Sequence, residues 1–274
     1  MIAETRKRQA DATPHAASLI EGMRDFGYTL ETAMADVIDN SVTAKASKVE
    51  ILAETATDEP WIAIVDNGAG MTEPELIEAM RPGTKNPLQE REGHDLGRFG
   101  LGLKSASFSQ CRQLTVITRK DGLTSAATWD LDKVAKTNDW RVDLEDNLTD
   151  IPGVSRLPET GTIVLWRKLD RLSTNFRHDT TKRSAEINKA ISGAERHLRL
   201  CFHRYMEGSK PALRILLNER KLSPIDPFAT DHPATQPGPE EPLPLLNGEV
   251  VTQCFTLPHH KMMSKSEWEN LGGG

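Results

Sequence analysis

The chain is short of cysteine, with only Cys111, Cys201 and Cys254, and none of them forms a CxxC pair. Three scattered thiols cannot all be joined within one chain, so a disulfide framework is excluded and a reduced, cytoplasmic setting is expected. Zinc is not expected either, because His259 and His260 are adjacent and no cysteine lies at ligand spacing from them. No uninterrupted apolar run approaches the roughly 20 residues that span a bilayer. The opening MIAETRKRQADATPH has charge but no apolar stretch of the kind a secretory signal needs. No membrane partner follows from such a pattern. Basic excess is also missing: 34 Lys and Arg stand against 40 Asp and Glu, a net charge of -6. A whole-molecule field for nucleic acid is therefore absent, and DNA stays an open partner that the charge does not indicate. Neither GxxxxGK[ST] nor GxGxxG occurs, which removes the P-loop and the dinucleotide fold.

What is present is a chain of 274 residues, long for one ordinary domain and short for two. From Thr13 to about Lys45 the apolar spacing is helical, through Met34, Val37, Ile38 and Ser41, with Thr29 as a cap for a second segment. Residues 48–53 and 61–65 read as strands, and Thr72 to Met80 as a capped helix. Residues 81–95 are irregular. Beyond the glycine cluster, 104–110 reads as helix, and 113–118, 125–131 and 161–166 as strands. Residues 187–206 are apolar at helical intervals. Two short strands around Asn218-Glu219-Arg220 read as a hairpin. Pro227 to Pro244 reads as a loop or linker, and Val250 to Leu257 as a last strand. Strands and helices without strict alternation favour an α/β sandwich with a mixed sheet.

Three clusters carry chemistry. In Asp36-Val37-Ile38-Asp39-Asn40-Ser41, Asp36 and Asn40 are i and i+4, so a carboxylate and an amide share one helix face. An amide oxygen plus phosphate oxygens and water suits Mg²⁺, and the carboxylate could hold an attacking water. Taken alone, the pair also reads as a solvated helix face. In Asp66-Asn67-Gly68-Ala69-Gly70-Met71, a carboxylate ends an apolar strand and needs a hydrogen-bonding partner. An adenine amine would serve, and Gly68 and Gly70 would let the backbone come close; taken alone, the stretch also reads as a turn. Gly97-Arg98-Phe99-Gly100-Leu101-Gly102-Leu103-Lys104-Ser105 precedes a helix, whose first N–H groups and dipole favour an anion.

The order of these clusters, closed by Gly161-Thr162, resembles the four motif boxes of the gyrase, heat-shock chaperone, histidine kinase and MutL (GHKL) superfamily of Bergerat-fold ATPases. GRFGLGLKSAS after DNGAGM looks most like the MORC-type ATPases and their prokaryotic relatives. The resemblance spans residues 31 to 166. It implies a two-layer α/β sandwich holding ATP and Mg²⁺. Asn40 would bind the metal, and Asp66, with Gly68, Gly70 and Met71, would form the adenine pocket. Thr162 would support adenine through a water. Gly97 to Leu103 would line the triphosphate with Lys104 nearby, and residues 81–95 would be a closing lid. Asp36 would be the general base.

Asp36 is a departure, because most hydrolysing members have glutamate there. Displacement by about 1 Å can cost roughly 100-fold in rate, so slow turnover is expected. Residues 13–206 are expected as the nucleotide domain. Residues 207–274 look like the start of a transducer-like α/β segment, too short to complete one. Lys261 and Lys265 are the nearest candidates for a phosphate-sensing lysine and are left unassigned. The implied activity is a switch in which ATP closes the lid and forms a homodimer, in DNA transactions or defence. A non-hydrolysing ATP-binding module and a chaperone-like ATPase are the alternatives. A histidine kinase is disfavoured, since His15 is the only early histidine and no phosphoacceptor helix surrounds it.

Overall fold

The computed structural model describes residues 10–83, 102–172, 176, 178–245 and 248–271. Two helices open the chain, α1 (Ala16–Met23) and α2 (Leu30–Thr43). Thr29 caps α2, its hydroxyl accepting from the Thr32 N–H while the Thr32 hydroxyl accepts from the Thr29 N–H. The antiparallel pair β1 (Lys48–Glu54) and β2 (Trp61–Asp66) follows, then α3 (Glu73–Met80). At the start of α3 the Thr72 N–H donates to Glu75 at 2.7 Å, the sequence-local box the Thr-x-x-Glu spacing implies. Then come α4 (Gly102–Gln110), β3 (Gln113–Lys120), β4 (Leu123–Asp130), α5 (Leu131–Thr137), β5 (Asp143–Leu144) and β6 (Gly161–Arg167). The long helix α6 (Thr180–Cys201) leads through α7 (His203–Met206) to β7 (Arg214–Leu217) and β8 (Arg220–Lys221).

Eight strands form one mixed sheet in the order β5-β4-β3-β6-β2-β1-β7-β8. Every pairing is antiparallel except β1 with β7, which is parallel and therefore needs the α6 crossover. The hairpin expected around residues 218–220 is present, and it extends the same sheet beyond β1.

One face of the sheet is covered by helices. Ile62, Ile64, Val116, Trp129, Val164 and Trp166 pack there with Ile20, Met34, Ile38, Phe108, Ile187 and Leu198. The period of two along β6 sends Ile163 and Leu165 to the other face, where Ile151, Leu157 and Val154 cover them from the preceding loop. Trp129 and Trp166 are buried almost completely, each contributing about 3 kcal/mol or more of apolar transfer on the usual area scale. The architecture is the expected α/β sandwich with a mixed sheet.

A separate two-stranded sheet pairs β9 (Gln236–Leu245) with β10 (Gly248–Thr256). Residues 236–244 therefore differ from the expected loop. Prolines usually argue against a strand, but here they fall at every second position on each side of the bulge near Cys254: Pro237 and Pro239, then Pro242 and Pro244. A hairpin has a free edge on each strand, so prolines of one parity direct their missing N–H away from the partner. The last described helix is α8 (Lys265–Asn270), capped by Ser264 and Glu267. No helix among the described residues is long and apolar enough to cross a membrane.

Candidate active site

Strand register assembles the base of the site. Asp66, the last residue of β2, lies opposite Thr162 on β6, and Thr162 lies opposite Thr118 on β3. Directly opposed residues share a sheet face, so these three polar side chains stand in a row across three neighbouring strands. Asp66 follows the parity of Ile62 and Ile64, which places the row on the helix-covered face. The Thr118 and Thr162 hydroxyls are 3.3 Å apart, and the Thr118 hydroxyl also donates to the Gly161 carbonyl at 3.1 Å.

Asp66 is 6% exposed, and among the described residues no cation lies beside it. One of its carboxylate oxygens accepts from the Gly68 N–H at 2.8 Å and the other from the Ser41 hydroxyl at 3.1 Å. Burial pushes its carboxyl above the usual range, and the bonds from Gly68, Ser41 and the Thr162 backbone work against that shift. Three accepted bonds still leave a carboxylate room for one more among its roughly four lone-pair sites.

The loop after β2 crosses the ends of β3 and β6 so closely that only glycine fits at two points. Gly70 has φ +63°, and a Cβ there would lie 2.1 Å from the Arg119 carbonyl oxygen. Gly161 has φ +149°, and its Cβ would lie 2.0 Å from the Asp66 carbonyl oxygen. Both are backbone collisions that rotamer changes cannot relieve. The N–H of half-buried Met71 then donates to the Thr118 hydroxyl at 2.8 Å, closing the loop onto the row. Asn67 is structural: its side chain holds Ser47 and Lys48 at the start of β1.

Helix α2 supplies the second wall. Ser41 reaches Asp66, and the face one turn earlier carries Asp36, Asp39 and Asn40. The exposed Asn40 donates its amide nitrogen to the Asp36 carbonyl at 3.0 Å, which leaves Oδ1 as the atom able to serve as a ligand. Among the described residues no group of three or more His, Cys, Asp or Glu could hold a metal. A cation here would accordingly rest on one amide oxygen plus ligand oxygens and water, a donor set suited to Mg²⁺. Asp36 Oδ2 accepts from the Tyr28 hydroxyl at 2.5 Å. Asp39 is half-buried, and burial, aided by the Asp36 charge, raises its carboxyl to about 6.

The third wall is the start of α4. Gly102 begins the helix, and a Cβ there would sit 3.5 Å from Asp36 Oδ2. Leu103 packs partly into the core. Lys104 is 3% exposed and its ammonium donates to the Ala79 carbonyl at 2.8 Å, at the end of α3. Gly97, Arg98, Phe99, Gly100 and Leu101 lie outside the described residues, as do residues 84–95 of the expected lid. The described site residues named from the sequence thus come together around one end of the sheet. Sequence spacing did not single out Tyr28, Asp39, Ser41 or Thr118 as site residues. Thr118 and Ser41 become visible only once strand register and helix docking are known, while Tyr28 carries no motif signal.

Residues 28–155 match the family described as histidine kinase-, DNA gyrase B-, and HSP90-like ATPase. These residues are a GHKL-superfamily domain. The match takes in the Asp36–Asn40, Asp66–Met71 and Gly97–Lys104 stretches, and Thr162 lies just beyond it. ATPase morc-1 of Caenorhabditis elegans is 32% identical over 95 residues, covering 35% of this chain and 11% of that protein. ATPase MORC2B of Mus musculus is 32% identical over 96 residues, 34% of this chain and 9% of that protein. The chaperone protein HtpG of Rickettsia prowazekii (strain Madrid E) is 34% identical over 104 residues, 34% of this chain and 17% of that protein. The chain therefore spans a small fraction of these GHKL relatives. At the level of the superfamily, the shared properties are ATP binding and hydrolysis.

Proposed function

We propose that this chain binds ATP with Mg²⁺ and hydrolyses it slowly. The observation that carries the reading is the buried Asp66, partnered among the described residues by neutral donors and aligned by register with Thr162 and Thr118. A buried carboxylate with spare acceptor capacity suits a ligand amine, and adenine presents one. Gly68, Gly70 and Met71 form the adjoining backbone, and Thr162 would reach the base through water. Asn40 Oδ1 would hold Mg²⁺ against the phosphates, with Gly97 to Leu103 lining them and Lys104 near by.

In the hydrolytic step, Asp36 accepts a proton from water as the water oxygen bonds to the terminal phosphorus. The bridging P–O bond breaks in the same displacement, giving ADP and phosphate. Aspartate reaches less far than glutamate, so the water must come closer to α2, and turnover is slow. Nucleotide binding would close residues 81–95 as a lid and join two chains, making a cytoplasmic switch. Residues 207–274 would relay that state as the start of a transducer-like segment. A role in DNA transactions or defence rests on the likeness to MORC-type proteins alone.

Phosphate release by Asp36→Asn tests the chemistry. The expected result is loss of turnover with ATP affinity kept, and unchanged release would remove Asp36 as base. The switch is tested by molar mass with and without a non-hydrolysable ATP analogue and Mg²⁺, where a dimer is expected only with nucleotide.

A further inference from the structure

Tyr28 sits in the connection between α1 and α2, one residue ahead of the Thr29 cap and eight residues before Asp36. Its hydroxyl donates to Asp36 Oδ2 at 2.5 Å, a short bond of the charge-assisted kind. Its ring is half-buried against the core formed by the helices. The backbone is tied as well, since the buried Gln110 at the end of α4 donates its amide to the Tyr28 carbonyl at 3.4 Å. On the α4 side the phenol also hydrogen-bonds the Ser105 side chain. Burial and the Asp36 carboxylate push the phenol up to about 12, so it stays protonated and remains a donor through the physiological range.

We infer that Tyr28 is the positioning residue for the Asp36 carboxylate. The inference rests on the reading of Asp36 as the base and explains how a short side chain can hold a fixed geometry. An aspartate carboxyl rotates broadly about its last torsion. A donor fixed on Oδ2 removes that freedom and leaves Oδ1 to take the proton of the attacking water. Tyr28 touches no reacting atom itself. Through Ser105 it also links the carboxylate to α4, the helix that begins at the third glycine of the phosphate-lining motif.

The test is single-turnover ATP hydrolysis with enzyme in excess, on the wild type, Tyr28→Phe, Asp36→Asn and the double variant. ATP affinity and thermal midpoint are measured on each. Phe keeps the ring and its packing and loses the hydroxyl with its bonds to Asp36 and Ser105. The expected result for Tyr28→Phe is a rate lower by roughly tenfold to a hundredfold, the range for a misplaced catalytic group, with affinity and thermal midpoint unchanged. In the Asp36→Asn background the same change is expected to have no further effect, since the two groups act as a unit. A rate for Tyr28→Phe within about twofold of wild type, or above it, overturns the inference, while loss of turnover in Asp36→Asn leaves the base assignment standing. A rate that falls only in step with affinity or thermal midpoint also overturns it, because that is the mark of a structural role. Full turnover by Asp36→Asn removes both readings together.

Discussion

Exchange of Asp66 for Asn probes the base of the nucleotide site at almost constant volume. In the native protein Gly68 N–H and the Ser41 hydroxyl each donate to one carboxylate oxygen. An amide offers one acceptor oxygen and one donor nitrogen. With its oxygen kept on Gly68, its nitrogen faces Ser41, whose hydroxyl both donates and accepts and already lies 3.4 Å from the Val37 carbonyl. Rotation of that hydroxyl gives every buried group a partner, so the fold should lose no more than about 1 kcal/mol. Removal of a charge whose burial already disfavours ionisation works in the same direction. The ligand fares differently. A hydrogen bond from an adenine amine to a carboxylate is worth about 1.5–3 kcal/mol, and its loss weakens binding roughly 10- to 150-fold. Titration calorimetry with a non-hydrolysable ATP analogue and Mg²⁺, beside thermal unfolding of both proteins, measures the two quantities separately. A folded Asp66→Asn variant with affinity within about threefold of wild type would refute the adenine assignment.

Asp39 gives a pH-dependent prediction. Its carboxyl is raised to about 6 in the fold, by burial and by Asp36, while the unfolded chain titrates near the ordinary value of 3.8. The native state therefore holds the extra proton between these values, and stability from this group is present below about 4 and lost as pH rises through 6. Asp39→Asn is expected to stabilise the protein by about 1 kcal/mol above pH ~7, after discounting for solvent screening, and to have little effect near pH ~4. Urea unfolding across that range checks the sign, and an Asn variant equally or less stable above neutrality contradicts it. Gly70→Ala places a Cβ 2.1 Å from the Arg119 carbonyl at a positive φ. The combined overlap and strain should cost about 3 kcal/mol or more, read as a lower urea midpoint; an unchanged midpoint means the loop does not cross as described.

The elements with the strongest local signals were legible in advance. The Thr29 and Thr72 caps, the helices they start and the apolar strands ending at Asp66 depend on neighbours within a few residues. The proline-bearing β9 was not legible, because a missing N–H excludes a central strand but is harmless on a free edge, and edges belong to the assembled sheet. The parallel pairing of β1 with β7 was equally hidden, since its partners are more than 160 residues apart and α6 brings them together.

For the site, the sequence by itself determined which residue types stand in which order: Asp36 and Asn40 one helical turn apart, Asp66 at a strand end, glycines at 68, 70, 97, 100 and 102, and a late Gly161-Thr162. Covalent spacing and helical period are enough for that. Tertiary structure alone decided that Thr162 and Thr118 flank Asp66, that Ser41 holds it, and that Tyr28 holds Asp36. Those contacts arise from strand register and helix docking, which satisfy buried polar groups across the whole fold rather than within any one segment.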